Sequence, residues 1–248
     1  MPTRLTNVGF DAADPRRLAG FWSDALGWPV TLDEADEVTV EAGTDLTVGW
    51  GDGGTPCLTF VPVADAKAGK NRVHLDLASA SDRDQQESVE RLLALGARRI
   101  DIGQGEVNWV VLADPEGNEL CVLEPREDYA GARDLAAVVL DCVAPEPLAG
   151  FWSQATGWDV VASTSRFAVL QDRGGSATRL ELLAVPERKR VKNRLHLDVA
   201  PHPGDDLAGE VARLEAAGAR HVDVGQGEVS WVVLADPEGN EFCVLTPR

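Results

Sequence analysis

The chain has 248 residues, an apolar content of 44% and a formal net charge of −18 from 41 acidic and 23 basic residues. That length holds one large domain or two ordinary ones, and no apolar run approaches the roughly 18–20 residues needed to span a bilayer. So acidic a surface repels phosphate backbones and anionic lipid, which excludes nucleic acid and membranes as expected partners.

In chain order, the opening MPTRLTNVGFDAADP lacks the apolar core of a secretion signal, so the cytoplasm is the expected compartment. Leu5–Asp11 reads as a strand with Val8 and Phe10 on one face and Asn7, Gly9 and Asp11 on the other. Asp14-Pro15 starts a helix, with Asp as N-cap and Pro at the first position. Leu18, Phe21, Trp22 and Ala25 recur at helical spacing, and Gly27 stops it. β-rich runs follow at Glu37–Ala42, Asp45–Trp50 and Cys57–Val63. A second unit repeats this plan. Arg72–Leu77 alternates as a strand, with Arg72, His74 and Asp76 sharing a face. Ser81–Leu95 is a helix stopped by Gly96, and strands follow at Arg99–Ile102, Trp109–Ala113 and Glu119–Leu123. Asp114-Pro-Glu-Gly-Asn118 is the turn between the last two.

The remainder restates all of this. LAGFWSDALGW (Leu18–Trp28) returns as LAGFWSQATGW (Leu148–Trp158), and KNRVHLDL (Lys70–Leu77) as KNRLHLDV (Lys192–Val199). GQGEVNWVVLADPEGNELCVLEPR (Gly103–Arg126) returns as Gly225–Arg248, differing only at Asn108/Ser230, Leu120/Phe242 and Glu124/Thr246. The second copy is shorter in the part corresponding to Thr31–Gly54. The charged stretch PREDYAGARD separates the copies, giving expected boundaries of 1–126, a linker at 127–134, and 135–248. The expected fold class is α+β: four βαβββ modules in two tandem domains. One module covers only one face of its sheet. Two modules edge to edge form a cup, with the helices on the outer face and the ligand site inside. The two modules of each copy are expected to make its cup.

DPRRLAGFWSDALGW resembles the D-x-x-x-x-x-x-F-Y-x-x-x-L-G-F signature of vicinal oxygen chelate proteins, the glyoxalase, bleomycin-resistance and extradiol dioxygenase superfamily. DPEGNELCVL resembles their closing strand, and NRVHLDL the strand opening their second module. The resemblance covers nearly the whole chain twice and implies tandem glyoxalase-like domains. It also implies a four-ligand metal site of His or Gln, Glu, His and Glu. The matching positions are Asn7, Thr59, His74 and Cys121 in the first copy, and Ala137, Glu181, His196 and Cys243 in the second. Neither set matches, so the expectation is no metal cofactor. Glu181, His196 and Cys243 are the one mixed donor set suited to zinc if a metal is present.

The expected partner is therefore a small molecule, aromatic or cationic, bound in a cup by a monomer or homodimer. His74 and His196 either carry proton transfer, as in a metal-independent lyase or isomerase, or pair with Asp76 and Asp198. Asn7, Cys121, Cys243, Trp109 and Trp231 are candidate ligand contacts. Arg72 and Arg194 are candidate anchors for an anionic group. The alternative is a non-catalytic protein that sequesters a drug or metabolite, as in the bleomycin-resistance branch. The four cysteines have no CxxC spacing and are expected to be free thiols.

Overall fold

The structure is a computed structural model that describes residues 3–43, 55–130, 132, 134–174 and 177–247. The run Asp45–Trp50 lies outside the described residues. Module one comprises β1 (Arg4–Ala12), α1 (Pro15–Leu26), β2 (Val30–Asp33), β3 (Val38–Val40) and β4 (Cys57–Pro62). Module two comprises β5 (Val73–Leu77), α2 (Asp82–Ala94), β6 (Arg98–Arg99), β7 (Val110–Ala113) and β8 (Glu119–Val122). A single 3-10 turn, Glu127–Tyr129, follows. Module three comprises β9 (Leu135–Cys142), α3 (Pro145–Thr156), β10 (Asp159–Ser163), β11 (Phe167–Gln171) and β12 (Arg179–Ala184). Module four comprises β13 (Leu195–Ala200), α4 (Leu207–Ala216), β14 (Arg220–His221), β15 (Val232–Ala235) and β16 (Glu241–Val244).

The helix signals act as read. The Asp14 carboxylate accepts from Arg17 N, and Gly27 takes the left-handed conformation (φ 68°) that ends α1. β2 was not anticipated; its residues are half-buried or exposed, so it carries no alternation of burial. The strand expected at Arg99–Ile102 shrinks to Arg98–Arg99, the residues that pair with β7.

The module pairing departs from expectation. Two eight-stranded sheets form, in the orders β14-β15-β16-β13-β1-β4-β3-β2 and β10-β11-β12-β9-β5-β8-β7-β6. Module one therefore joins module four, through antiparallel β1 and β13. Module two joins module three, through antiparallel β5 and β9. Each cup takes one module from each sequence copy.

Within a copy, contact runs through helices and turns instead. Trp22 Nε1 donates to Asp114 in the β7–β8 turn at 3.3 Å, and Trp152 Nε1 repeats this with Asp236. Glu116 of that turn accepts from Ala13 N and Asp14 N at the start of α1, and Glu238 accepts from Val143 N and Ala144 N at the start of α3. The apolar faces of both sheets and all four helices merge into one cluster that includes Phe10, Trp22, Phe60, Trp152 and Phe242. Its burial is the dominant stabilising term. No helix among the described residues is long and apolar enough to cross a membrane.

Candidate functional site

The first cup lies on the sheet of modules one and four. β1 supplies Asn7 and Asp11, β4 supplies Thr59, β13 supplies His196 and Asp198, and β16 supplies Cys243. The period of two places these side chains on the face opposite Val8, Phe10 and Leu197. They line a cavity of about 520 Å³, together with Glu37, Gln226, Trp231, Val233 and Leu245. His196 Nε2 lies 3.3 Å from Asp198 Oδ1. Parallel register sets Asp198 beside Cys243, whose thiol donates to the Asp198 carboxylate. Gly9 faces His196 across β1–β13, and a Cβ there would sit 2.5 Å from His196 Nε2, so glycine makes room for the ring. Asn7 Nδ2 donates to Thr59 Oγ1 at 2.6 Å. That leaves Asn7 Oδ1 buried without a hydrogen-bond partner among the described residues, and Asp198 Oδ1 is in the same state. Trp231 is 38% exposed at the rim. The duplicated GQGEV segment forms part of the rim through Gly225, Gln226 and Val229.

The second cup has the same floor, with Tyr129 packed on it. His74 Nε2 lies 3.4 Å from Asp76 Oδ1, and Asp76 is in register with Cys121. Tyr129, from the linker, packs on Val111, Cys121 and Leu123 and is only 7% exposed. Its hydroxyl donates to Glu181, and the Arg179 guanidinium lies 5.0 Å above its ring. Trp109 is covered by Arg126 at 5.8 Å.

Burial dominates the electrostatics. It lifts Asp198 from 3.8 to about 6, Glu37 adding to the rise. It lifts Asp76 to about 7, with Glu181 contributing, and lowers His74 from 6.5 to about 3. Burial, reinforced by the adjacent carboxylates, also pushes the Cys121 and Cys243 thiols well above the usual range. A buried, protonated thiol is a poor nucleophile, so neither cysteine suits covalent chemistry.

The observed pairing regroups the expected residues. Glu181 lies on β12 in the second cup, bonded to Tyr129, and is not with His196 and Cys243. The expected zinc set of Glu181, His196 and Cys243 therefore does not assemble, because the two halves of that set sit on different sheets. Asn7 and Thr59 join His196 and Cys243 instead. Arg72 and Arg194 also go elsewhere. Arg72 donates to Asn240 Oδ1 and to the Glu187 and Asp141 carbonyls, and Arg194 to Glu116 and the Asp65 carbonyl. Both tie one sheet to the other through these bonds. Tyr129 and Glu37 were missed. Tyr129 is the chain's one tyrosine, and an aromatic residue in a charged linker was the available signal.

The donors present decide whether a divalent metal fits either cup. The family's four positions hold Asn7, Thr59, His196 and Cys243 in the first cup, and no carboxylate stands among them. The hard-ion site does not fit. A different trio does have its ligand atoms within 4.8 Å of one another: His196, Asp198 and Cys243, repeated as His74, Asp76 and Cys121. The mixed nitrogen, oxygen and sulfur donors suit only a thiophilic ion such as zinc, whose binding would displace the thiol proton.

Four βαβββ modules, two cups and these strand-borne side chains define a tandem protein of the vicinal oxygen chelate superfamily. The glyoxalase-like domain family matches residues 7–123 and 137–245. The chain belongs to that family. Glyoxalase I from Zea mays is similar at a TM-score of 0.69 and 13% identity, over 98% of this chain and 92% of the maize protein. A provisionally assigned dioxygenase from Bacillus subtilis is similar at 0.63 and 15%, over 99% of this chain and 86% of that one. At these identities the likeness is one of fold. No curated protein shows significant sequence similarity to the chain.

Proposed function

We propose that this protein binds one small organic molecule in the first cup and acts on it without a resident metal, as a lyase or isomerase with His196 as the proton-transfer group. One observation carries the reading: the cavity of about 520 Å³ opens over His196, Asp198 and Cys243, while Tyr129 occupies the equivalent space in the second cup. That volume suits a small ligand. An imidazole can both take and return a proton, and the Asp198 carboxylate lies 3.3 Å from its Nε2. The carboxylate supports the imidazolium once a proton is taken. A zinc ion held by His196, Asp198 and Cys243 would supply Lewis acidity, but it would also occupy His196, the base this reading needs.

Binding without chemistry is the rival reading. It is favoured by Trp231, a partly exposed indole that offers a stacking surface at the rim. Ligand-observed NMR with a set of carbonyl and aromatic fragments separates the two. Binders are expected to compete for one site per chain and to weaken in Trp231→Ala. Conversion by the wild type and not by His196→Gln supports catalysis. Recovery of every binder unchanged from the wild type supports the sequestering role. Binding lost in His74→Ala but kept in Trp231→Ala would move the site to the second cup and overturn the reading.

A further inference from the structure

We infer that the ligand of the first cup is a flat aromatic ring carrying a protonated amine. This rests on the first cup being the working site. The first line of argument is the occupant of the second cup. Tyr129 lies on a floor of Val111, Cys121 and Leu123. The repeat places Val233, Cys243 and Leu245 at the matching positions, and all three line the open cavity. The same floor, built on the same strands, fits a ring of the same thickness. Tyr129 is thus an internal image of the missing ligand. The open cavity adds a second flat surface in Trp231, which its counterpart Trp109 does not offer because Arg126 covers it.

The second line is charge. Five carboxylates line the cavity: Asp11, Glu37, Asp65, Asp198 and Glu241. Asp11 is matched by Lys192 and Glu241 by Lys189. Glu37, Asp65 and Asp198 have no Lys or Arg partner among the described residues, and the charged-group neighbour of Asp198 on its own strand is the His196 imidazole at 3.3 Å. A cation entering the cavity is attracted to these carboxylates. The third line is hydrogen bonding. The unpartnered buried atoms of this cavity, Asn7 Oδ1 and Asp198 Oδ1, are both acceptors, on residues only 3% and 5% exposed. A buried acceptor left open costs free energy until a donor reaches it. An ammonium brings three donors and the charge, and it is also attracted to the face of an indole. An anionic ligand would meet these carboxylates and two open acceptors, and the lysine on the cavity lining, Lys192, is already held by Asp11.

The test is calorimetric titration of the full chain with three probes sharing one ring: tyramine, neutral 4-ethylphenol and anionic 4-hydroxyphenylacetate. Tyramine is expected to bind saturably, at least about ten-fold tighter than 4-ethylphenol, with the anion weakest. Glu37→Gln is expected to remove most of that preference, and Trp231→Leu to weaken tyramine. Equal or tighter binding of the neutral or anionic probe overturns the inference, as does absence of saturable tyramine binding at millimolar concentration. If the neutral probe binds as well as tyramine yet weakens in Trp231→Leu, the amine is wrong and the first cup stands. If tyramine binding survives both Glu37→Gln and Trp231→Leu but is lost in His74→Ala, the choice of cup is wrong as well.

Discussion

At the scale of single residues, the two histidine–aspartate pairs show how burial redistributes protons. In the second cup the folded chain favours a proton on Asp76, raised to about 7, and disfavours one on His74, lowered to about 3. The groups facing the pair are Glu181, Cys121, Arg126, Asp141, Lys70 and Glu119. The two shifts have opposite consequences for stability. A raised carboxyl pKa gives stability that is full below 3.8 and lost as pH rises through about 7. A lowered imidazole pKa gives stability that is full above 6.5 and lost as pH falls towards about 3. In the shared window the slopes offset. Asp76→Asn should therefore gain stability relative to wild type as pH rises from 4 to 7, and His74→Gln should lose its relative advantage over the same range. Each swing is on the order of a few kcal/mol. Urea denaturation of both variants across that range checks this; parallel slopes for the two would refute it. The histidines, the cysteines and the strand faces they share were readable from the alternating pattern alone. The aspartate beside each histidine was also legible, two residues on along the same strand; the residues the other module brings to each cup were not, because Glu181 and His196 belong to one sequence copy and to different sheets.

At the scale of elements, the duplicated DPEGNE turn is a clasp, and its near-identity in the two copies has a structural reason. Asp114 takes backbone bonds from Glu116 and Asn118, a side-chain bond from Asn118 and the Trp22 indole, and Asp236 repeats the set. Glu116 and Glu238 then reach the N-termini of α1 and α3, where a carboxylate also meets the favourable end of the helix dipole. The two are not equivalent. Asp14 caps α1 with its own side chain, whereas Ala144 provides no such bond for α3. Measured in an Arg72→Gln, Arg194→Gln background, which removes the arginine each glutamate also faces, Glu238→Ala should therefore cost more than Glu116→Ala, about 1–2 kcal/mol against a smaller loss. Chemical denaturation measures both, and an equal or reversed ranking would show that the clasp does not work through helix capping. The sequence identified this segment as a turn from its Asp, Pro, Gly and Asn. Its long-range partners stayed hidden because a turn motif specifies its own backbone and not what docks against it.

At the scale of the molecule, the chain is woven. Helix-to-turn contacts join modules within a copy, and sheet edges join modules across copies. Module count, module order and fold class were legible because periodicity and turn chemistry are local. Pairing was not. The copies are so alike that β1 has two nearly equivalent partners in sequence, β5 and β13, and only the assembled core selects between them. The two cups also share a plan and differ in occupancy, through a single linker residue. Tyr129 closes one and nothing from the described chain fills the other, so the account stands or falls on one cup being open. Native-state labelling with N-ethylmaleimide, mapped by mass spectrometry, tests this without knowledge of the ligand. Cys243 and Cys121 occupy equivalent positions, are 8% and 6% exposed, and have thiols shifted in the same direction by burial, so the room for a maleimide above each sulfur decides their relative rates. Cys243 should be modified several-fold faster than Cys121 in the wild type, and Tyr129→Ala should bring Cys121 level with it. Equal rates in the wild type, or faster modification of Cys121, would contradict the one-open-cup account.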